Sequence, residues 1–295
     1  MSLEPVNIES FSRPVRQLWQ RMNPCKICPR NCEVYRSRGE KGVCGIADKA
    51  VVSSAGPHYG EEPVLVGRGG SGTIFFAGCN LACIFCQNYD ISQHRHGSEV
   101  TIEQLAQTML ELQQTGCSNI NLVTPTHMVA PIAAAIELAR DRGLTLPIVY
   151  NCGGYDSIET LKIIDGMIDI YMPDMKYSDP QSAEKLSGAA DYPQINQAAV
   201  IEMYRQVGDL KIVNGLATRG LLIRHLILPE NLAGSFKIID FLAEQISANT
   251  AINVMAQYRP CYKASSYGKL NRKPFPDEIE TVHRYAVEKG LRIID

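Results

Sequence analysis

The chain has no apolar run long enough to cross a bilayer. Leu221 to Leu228 is interrupted by Arg224 and His225, and the apolar part of Met128 to Ala139 is too short. No membrane role is expected. The chain also lacks an excess of either charge. With 29 Lys and Arg against 31 Asp and Glu, a net charge of −2, it has none of the broad basic footprint that holds a nucleic-acid backbone. Met1-Ser2-Leu3-Glu4-Pro5 carries neither the basic start nor the apolar core of a secretory leader. A cytoplasmic protein is therefore expected. What is present is an ordinary globular composition, 45% apolar over 295 residues, enough for one sizeable domain or one domain with an appendage.

Cysteine is the informative residue. Ten cysteines in a secreted chain would suggest disulfides, but seven of these fall into two tight groups with metal-ligand spacing, which fits a reducing compartment. Cys79, Cys83 and Cys86 form Cys-x3-Cys-x2-Cys, with Phe85 just before the third. Three thiolates hold three irons of a four-iron cluster, whereas a closed electron-transfer cluster takes four; this spacing leaves one iron open, hence reactive. Buried structural cysteines or three zinc ligands are the alternatives, and the position directly after a strand favours the cluster.

Cys25, Cys28, Cys32 and Cys44 form a second group, Cys-x2-Cys-x3-Cys-x11-Cys, in a segment with little apolar periodicity. Four thiolates this close make a closed site that would give such a segment its fold. The metal is either zinc, which uses Cys-x2-Cys pairs, or an iron–sulfur cluster, which a Cys-x2-Cys-x3-Cys run with Pro29 after the second cysteine also suits. The locally basic stretch from Arg13 to Lys41 reads as a solvated face, or as charge compensation for these thiolates. Cys117 reads as structural, and Cys152 alone of the remaining cysteines falls at the end of a strand.

Residues 1–70 are read as an N-terminal extension carrying the four-cysteine site, and residues 71–295 as a barrel-like unit. From Thr73 onward short β-rich runs alternate with amphipathic helices, the rhythm of βα units around a parallel sheet. Strands are expected near Thr73 to Ala77, Asn119 to Thr124, Pro147 to Asn151, Ile168 to Met172, Leu221 to Leu228 and Ala251 to Ala256. Thr101-Ile102-Glu103-Gln104 is a capping-box pattern followed by Leu105, Met109 and Leu112 on one helical face. Pro131 suits a first helical turn and Gly143 a stop. Asp156 with Glu159 opens another helix, and the last runs from Pro276 to Lys289. Six right-handed βα units give an α/β fold, a partial (β/α)6 TIM-like barrel with an N-terminal Cys-rich metal-binding extension. Its site is expected at the strands' C-terminal ends.

The run Gly78-Cys79-Asn80-Leu81, continuing through Cys86-Gln87-Asn88 into Tyr89-Asp90-Ile91-Ser92, resembles the radical S-adenosylmethionine (SAM) proteins. Within them it is most similar to the pyruvate formate-lyase activating enzymes, and to the branch of that group with an additional N-terminal Cys-rich segment. The resemblance implies a [4Fe-4S] cluster whose open iron chelates the amino and carboxylate groups of SAM. One electron then cleaves SAM to methionine and a 5′-deoxyadenosyl radical, which abstracts hydrogen from a substrate carbon; the protein supplies orientation and exclusion of water.

The resemblance also implies site residues. Phe85 would border the adenine. Thr124 and Thr126 offer acceptors to the SAM ammonium where relatives carry a Gly-Gly-Glu-Pro type loop. Asn151 opens Asn151-Cys152-Gly153-Gly154, in place of an Asp-Thr-Asn-Gly-like turn, and its glycines permit close backbone approach. Asp174 and Lys176 match an Asp-x-Lys element near SAM, or make a local ion pair. Arg224 aligns with an arginine close to SAM and needs an anionic partner, for which the SAM carboxylate is suited. His127 is either a SAM or substrate contact or a satisfied structural residue; Gln257, Tyr258 and Arg259 form the far wall or are structural. Expected partners are a protein or peptide substrate, a glycyl radical enzyme in the most concrete form, and a reductant such as flavodoxin or ferredoxin. Radical modification of another peptide or small molecule and a non-catalytic metal-braced interaction protein are the alternatives.

Overall fold

The computed structural model describes residues 7–294; Met1 to Pro5, read above for a leader, lie outside them. The strands are β1 (Ala50–His58), β2 (Ser71–Phe76), β3 (Ser98–Val100), β4 (Ile120–Val123), β5 (Ile148–Cys152), β6 (Ile170–Pro173), β7 (Lys211–Val213), β8 (Leu216–Leu226), β9 (Ala251–Met255) and β10 (Arg292–Ile293). The α-helices are α1 (Arg13–Gln20), α2 (Pro63–Val66), α3 (Tyr89–Ser92), α4 (Ile102–Gln114), α5 (Val129–Asp141), α6 (Ile158–Ile163), α7 (Pro180–Ser187), α8 (Tyr192–Val207), α9 (Ser235–Phe241) and α10 (Pro276–Glu288).

Seven strands run parallel in the order β2-β4-β5-β6-β8-β9-β10. β1 joins β2 antiparallel, β3 joins β1, and β7 pairs antiparallel with β8. β10 and β3 end the two edges of the sheet, so the barrel is open. The fold is therefore α/β with a partial TIM-like barrel, and all six expected strands are present as β2, β4, β5, β6, β8 and β9. They are legible because parallel strands are covered on both faces and read as continuous apolar runs; every residue of β5 is buried.

The capping box forms as the sequence pattern demands. The Thr101 hydroxyl accepts the Gln104 N–H at 3.2 Å, and the Gln104 side chain accepts the Thr101 N–H at 2.8 Å. The buried face of α4 is Ile102, Leu105, Ala106, Met109 and Leu112. One cap differs from expectation: α6 is opened by Ser157, whose hydroxyl accepts the Thr160 N–H at 3.4 Å, while Asp156 turns into the core and accepts from the Tyr150 hydroxyl at 3.1 Å. A short acceptor one residue nearer the helix is better placed for the free N–H groups.

The N-terminal residues are built into this frame. Val15, Leu18 and Met22 are fully buried in the same core as α5 and α6. Arg36, inside the stretch read as a solvated face, is 1% exposed; its guanidinium donates to the carbonyls of Ala47 at 2.7 Å and His127 at 2.6 Å. Two protein carbonyls offset its loss of water. After β1 the chain enters the bore of the open barrel. There Leu65 of α2 is fully buried against Val149, Met172, Leu222 and Ala251, which face away from the outer helices. The Asn119 side chain donates to the Leu65 carbonyl at 2.7 Å and fixes this plug.

Candidate active site

The cysteine triplet leaves the C-terminal end of β2. Gly78 precedes it at φ +81°, and a Cβ there would stand 2.8 Å from the Cys44 carbonyl and 2.7 Å from Ile46. Only glycine lets the triplet loop pack against the N-terminal loop. The Ser187 hydroxyl donates to Cys83 Sγ at 2.9 Å, the Leu81 N–H to Cys79 Sγ at 3.4 Å, and Cys86 Sγ lies 3.1 Å from the Ser92 hydroxyl. Burial pushes the Cys79 thiol up to about 12, with the neighbouring Cys83 adding to the rise, and burial also raises Cys83. Such thiols need a metal to deprotonate them.

The three cysteines share a cavity of about 210 Å³ with Thr124, Asn151, Asp174, Lys176 and Arg224, which project from the ends of β4, β5, β6 and β8. Phe85 also lines it, its ring held edge-on by Tyr177 and Tyr258 at centroid distances of 6.4 and 5.9 Å. Gln257 faces the same space, whereas Tyr258 is buried behind it with its hydroxyl on the Leu270 carbonyl at 2.8 Å, and Arg259 is exposed. The cavity is below the roughly 300 to 1,000 Å³ of sites that enclose small molecules. Gln87 closes one side through a long 3.5 Å contact with the Gln257 carbonyl, which a larger ligand would part. A more open cleft of about 360 Å³ beside α1 is lined by Gln17, Gln20, Arg21 and Lys26 and holds no thiol or carboxylate. The chemistry-bearing groups converge on the smaller cavity.

One expected ligand lies elsewhere. Thr124 sits at φ +61°, in the left-handed region that a β-branched residue rarely adopts, and this turn sends Thr126 beneath the loop. Thr126 is buried and does not line the cavity, so it is not a direct ammonium ligand here. His127 is structural: its Nε2–H donates to the Ala77 carbonyl at 2.8 Å, and burial lowers it to about 4. Gly154, at φ +72°, is where close approach is real, since a Cβ would meet the Asp174 carbonyl at 2.2 Å. Cys152 does line the cavity, with its thiol raised by burial and by Asp156; Cys117 is buried away from it.

The charges of the site are paired. Lys176 Nζ lies 2.5 Å from Asp174 Oδ2; burial works against the ammonium, but Asp174 and Cys83 more than offset it, so its pKa is raised. Arg224 is likewise raised, because Glu62, Asp174 and Glu61 outweigh its burial. Glu62, 3.2 Å from Arg224, is the residue that sequence reasoning missed. It supplies from within the protein the anionic partner expected of SAM. The signal was present as adjacent acids, Glu61-Glu62, but nothing in the sequence joins them to β8.

The N-terminal cysteines form a separate group. Burial pushes the Cys28 thiol up to about 12, and Cys44, Cys25 and Cys32 each add to the rise, so the four sulfurs lie within electrostatic reach of one another. None lines the cavity. Arg30 Nε donates to the Asn80 carbonyl at 2.8 Å, tying the two cysteine loops to each other, and Arg95 Nε holds the Cys44 carbonyl at 3.2 Å. Among the described residues no three His, Cys, Asp or Glu side chains are grouped to hold a single metal ion. A cluster asks for a wider arrangement, because each thiolate binds its own iron rather than sharing one. The triplet fits that demand: three free thiols on one cavity wall.

Residues 73–231 match the family model described as Radical SAM superfamily. Uncharacterized protein MJ0674 of Methanocaldococcus jannaschii is 32% identical over 281 residues, covering 92% of this chain and 76% of that protein. Uncharacterized protein MJ0808 of the same organism is 24% identical over 291 residues, covering 92% and 79%. Among solved structures, Streptococcus suis SuiB bound to precursor peptide SuiA aligns with a TM-score of 0.49 at 11% identity, over 74% of this chain and 46% of that one. Native anSMEcpe with bound AdoMet aligns with a TM-score of 0.47 at 11% identity, over 74% and 61%. The chain thus spans less than two thirds of either structure's length.

Proposed function

The chain belongs to the radical SAM superfamily, and from that premise we propose that it generates a radical on a protein or peptide substrate, in the most concrete form a glycyl radical enzyme. Cys79, Cys83 and Cys86 would hold the [4Fe-4S] cluster, and SAM would occupy the adjoining cavity. When bound, these two groups supply the electron transfer and the hydrogen-abstracting radical. The rest is work for the chain. Arg224 would meet the SAM carboxylate with two donors, and Thr124 and Asn151 would offer oxygens to the ammonium; all three line the cavity. Phe85 gives the adenine a fixed ring face, and Leu81, Leu226 and Met255 keep water from the reacting atoms. The Asp174–Lys176 pair fixes the floor between them.

The observation that carries this reading is the set of three free thiols beside a guanidinium and an ion pair, all at the strand ends of one cavity. Cys25, Cys28, Cys32 and Cys44 are assigned, on their spacing in the chain and on the electrostatic reach of the other three thiols to Cys28, to a second metal, an iron–sulfur cluster or zinc, and a flavodoxin or ferredoxin to the supply of electrons. The test is anaerobic reconstitution followed by incubation with SAM, reductant and a candidate glycyl radical enzyme, read by electron paramagnetic resonance. A glycyl doublet on the partner is expected. SAM cleavage with every protein partner silent would move the substrate to a small molecule, and no SAM cleavage under any condition would leave a non-catalytic cluster protein.

A further inference from the structure

Arg224 is gripped from below. Its Nε lies 3.2 Å from Glu62 Oε1, whereas Nη1 is directed at Asn151 Oδ1, 3.5 Å away, and Nη2 at Met255 Sδ, 3.3 Å away. Asn151 and Met255 line the cavity; Glu62 does not. The Nε–H is not aimed along the 3.2 Å line, so the contact is an ion pair rather than a directed hydrogen bond. Glu62 is itself only 4% exposed. The Asn253 side chain donates to the same Oε1 at 3.0 Å, and Oε2 has no partner. Glu61 is held by His58, 3.1 Å away, and acts on Arg224 through its charge alone.

A guanidinium is a rigid planar fork whose value in binding a carboxylate depends on its plane being set in advance. Here the Nε edge rests on a buried carboxylate carried by the plug in the barrel bore, and the Nη edge looks into the cavity. We propose that Glu62 is a positioning residue: it fixes the plane and charge of Arg224 so that the two Nη groups meet the carboxylate of SAM. This rests on the reading that Arg224 binds SAM. Its consequence is that the N-terminal segment completes the binding site from the inside of the barrel, through a residue that never touches the ligand.

The test is equilibrium binding of SAM to the anaerobically reconstituted full chain, with thermal melts, for wild type, Glu62→Gln, Arg224→Gln and the double variant. Glu62→Gln keeps an acceptor for Asn253 and removes only the charge. It should raise the Kd for SAM about tenfold, in the range for one charge-assisted contact. Added to Arg224→Gln it should raise the Kd no further, and it should restore part of the melting temperature lost when that variant leaves Glu62 without a counter-ion. A purely structural Glu62 would lower the melting temperature and leave the Kd unchanged. The same fold-change in both backgrounds would also overturn the proposal. An unchanged Kd in Arg224→Gln would instead remove Arg224 from SAM binding, and the proposal with it. Should Glu62→Gln fail to fold, Glu62→Asp, which keeps the charge but withdraws it, should still weaken SAM binding; wild-type affinity there would count against the assignment.

Discussion

His127 shows what one side chain does to the pH response. Buried and neutral, it donates to the Ala77 carbonyl that leads into the cysteine triplet, and its pKa of about 4 lies well below the usual 6.5. The unfolded chain therefore binds the extra proton first, so the contribution of His127 is full above pH 6.5 and is lost as pH falls toward 4. The depression corresponds to about 3 kcal/mol. His225, also buried with a lowered pKa, adds a slope of the same sign. Asp156 and Glu61, both raised by burial, act with the opposite sign, so the test is a difference: in denaturant melts between pH 4 and 7, His127→Gln, which keeps a donor but cannot titrate, should gain less stability with rising pH than the wild type, and an unchanged slope would contradict the assignment. At this scale the sequence was readable where a residue broke its own pattern. Arg224 stood out because it interrupts an apolar strand. Its partner Glu62 did not, because a carboxylate in a Gly- and Pro-rich stretch reads as loop until the fold brings it under β8. Thr126 was misplaced for a related reason: the positive φ at Thr124 redirects the chain, and a threonine carries no local signal for that.

The elements divide by how much of their stability is local. α4 announces itself through a capping box and an apolar stripe, both of which form. Thr101→Ala should cost about 1 kcal/mol of unfolding free energy by denaturant titration and leave SAM affinity unaltered; a change in SAM binding would show that the helix start is coupled to the site. Six of the seven parallel strands were legible because two-sided burial writes itself as an apolar run. β1, β3, β7 and β10 were not. β1 contains Gly56 and Pro57 and takes its place by antiparallel pairing with β2, and β10 is two residues long. The plug at Pro63–Val66 is too short to show a period, and its burial comes from surrounding strands rather than from its own sequence.

Across the whole molecule, two cysteine groups are tied together on a shared frame, but only one opens into the cavity. They should be separable. A Cys79→Ala/Cys83→Ala/Cys86→Ala variant should retain metal on Cys25, Cys28, Cys32 and Cys44, with elemental analysis deciding between iron and zinc; no bound metal after anaerobic reconstitution would contradict a closed four-thiolate site. On this reading SAM is cleaved at the triplet, with one iron left open beside Arg224 and Asp174. The most direct measurement is the 5′-deoxyadenosine formed from SAM by the reduced, reconstituted protein and by each single variant, Cys79→Ala, Cys83→Ala and Cys86→Ala. Product is expected from the wild type and none above background from any of the three, whereas near-normal product from even one variant would place SAM cleavage away from the triplet.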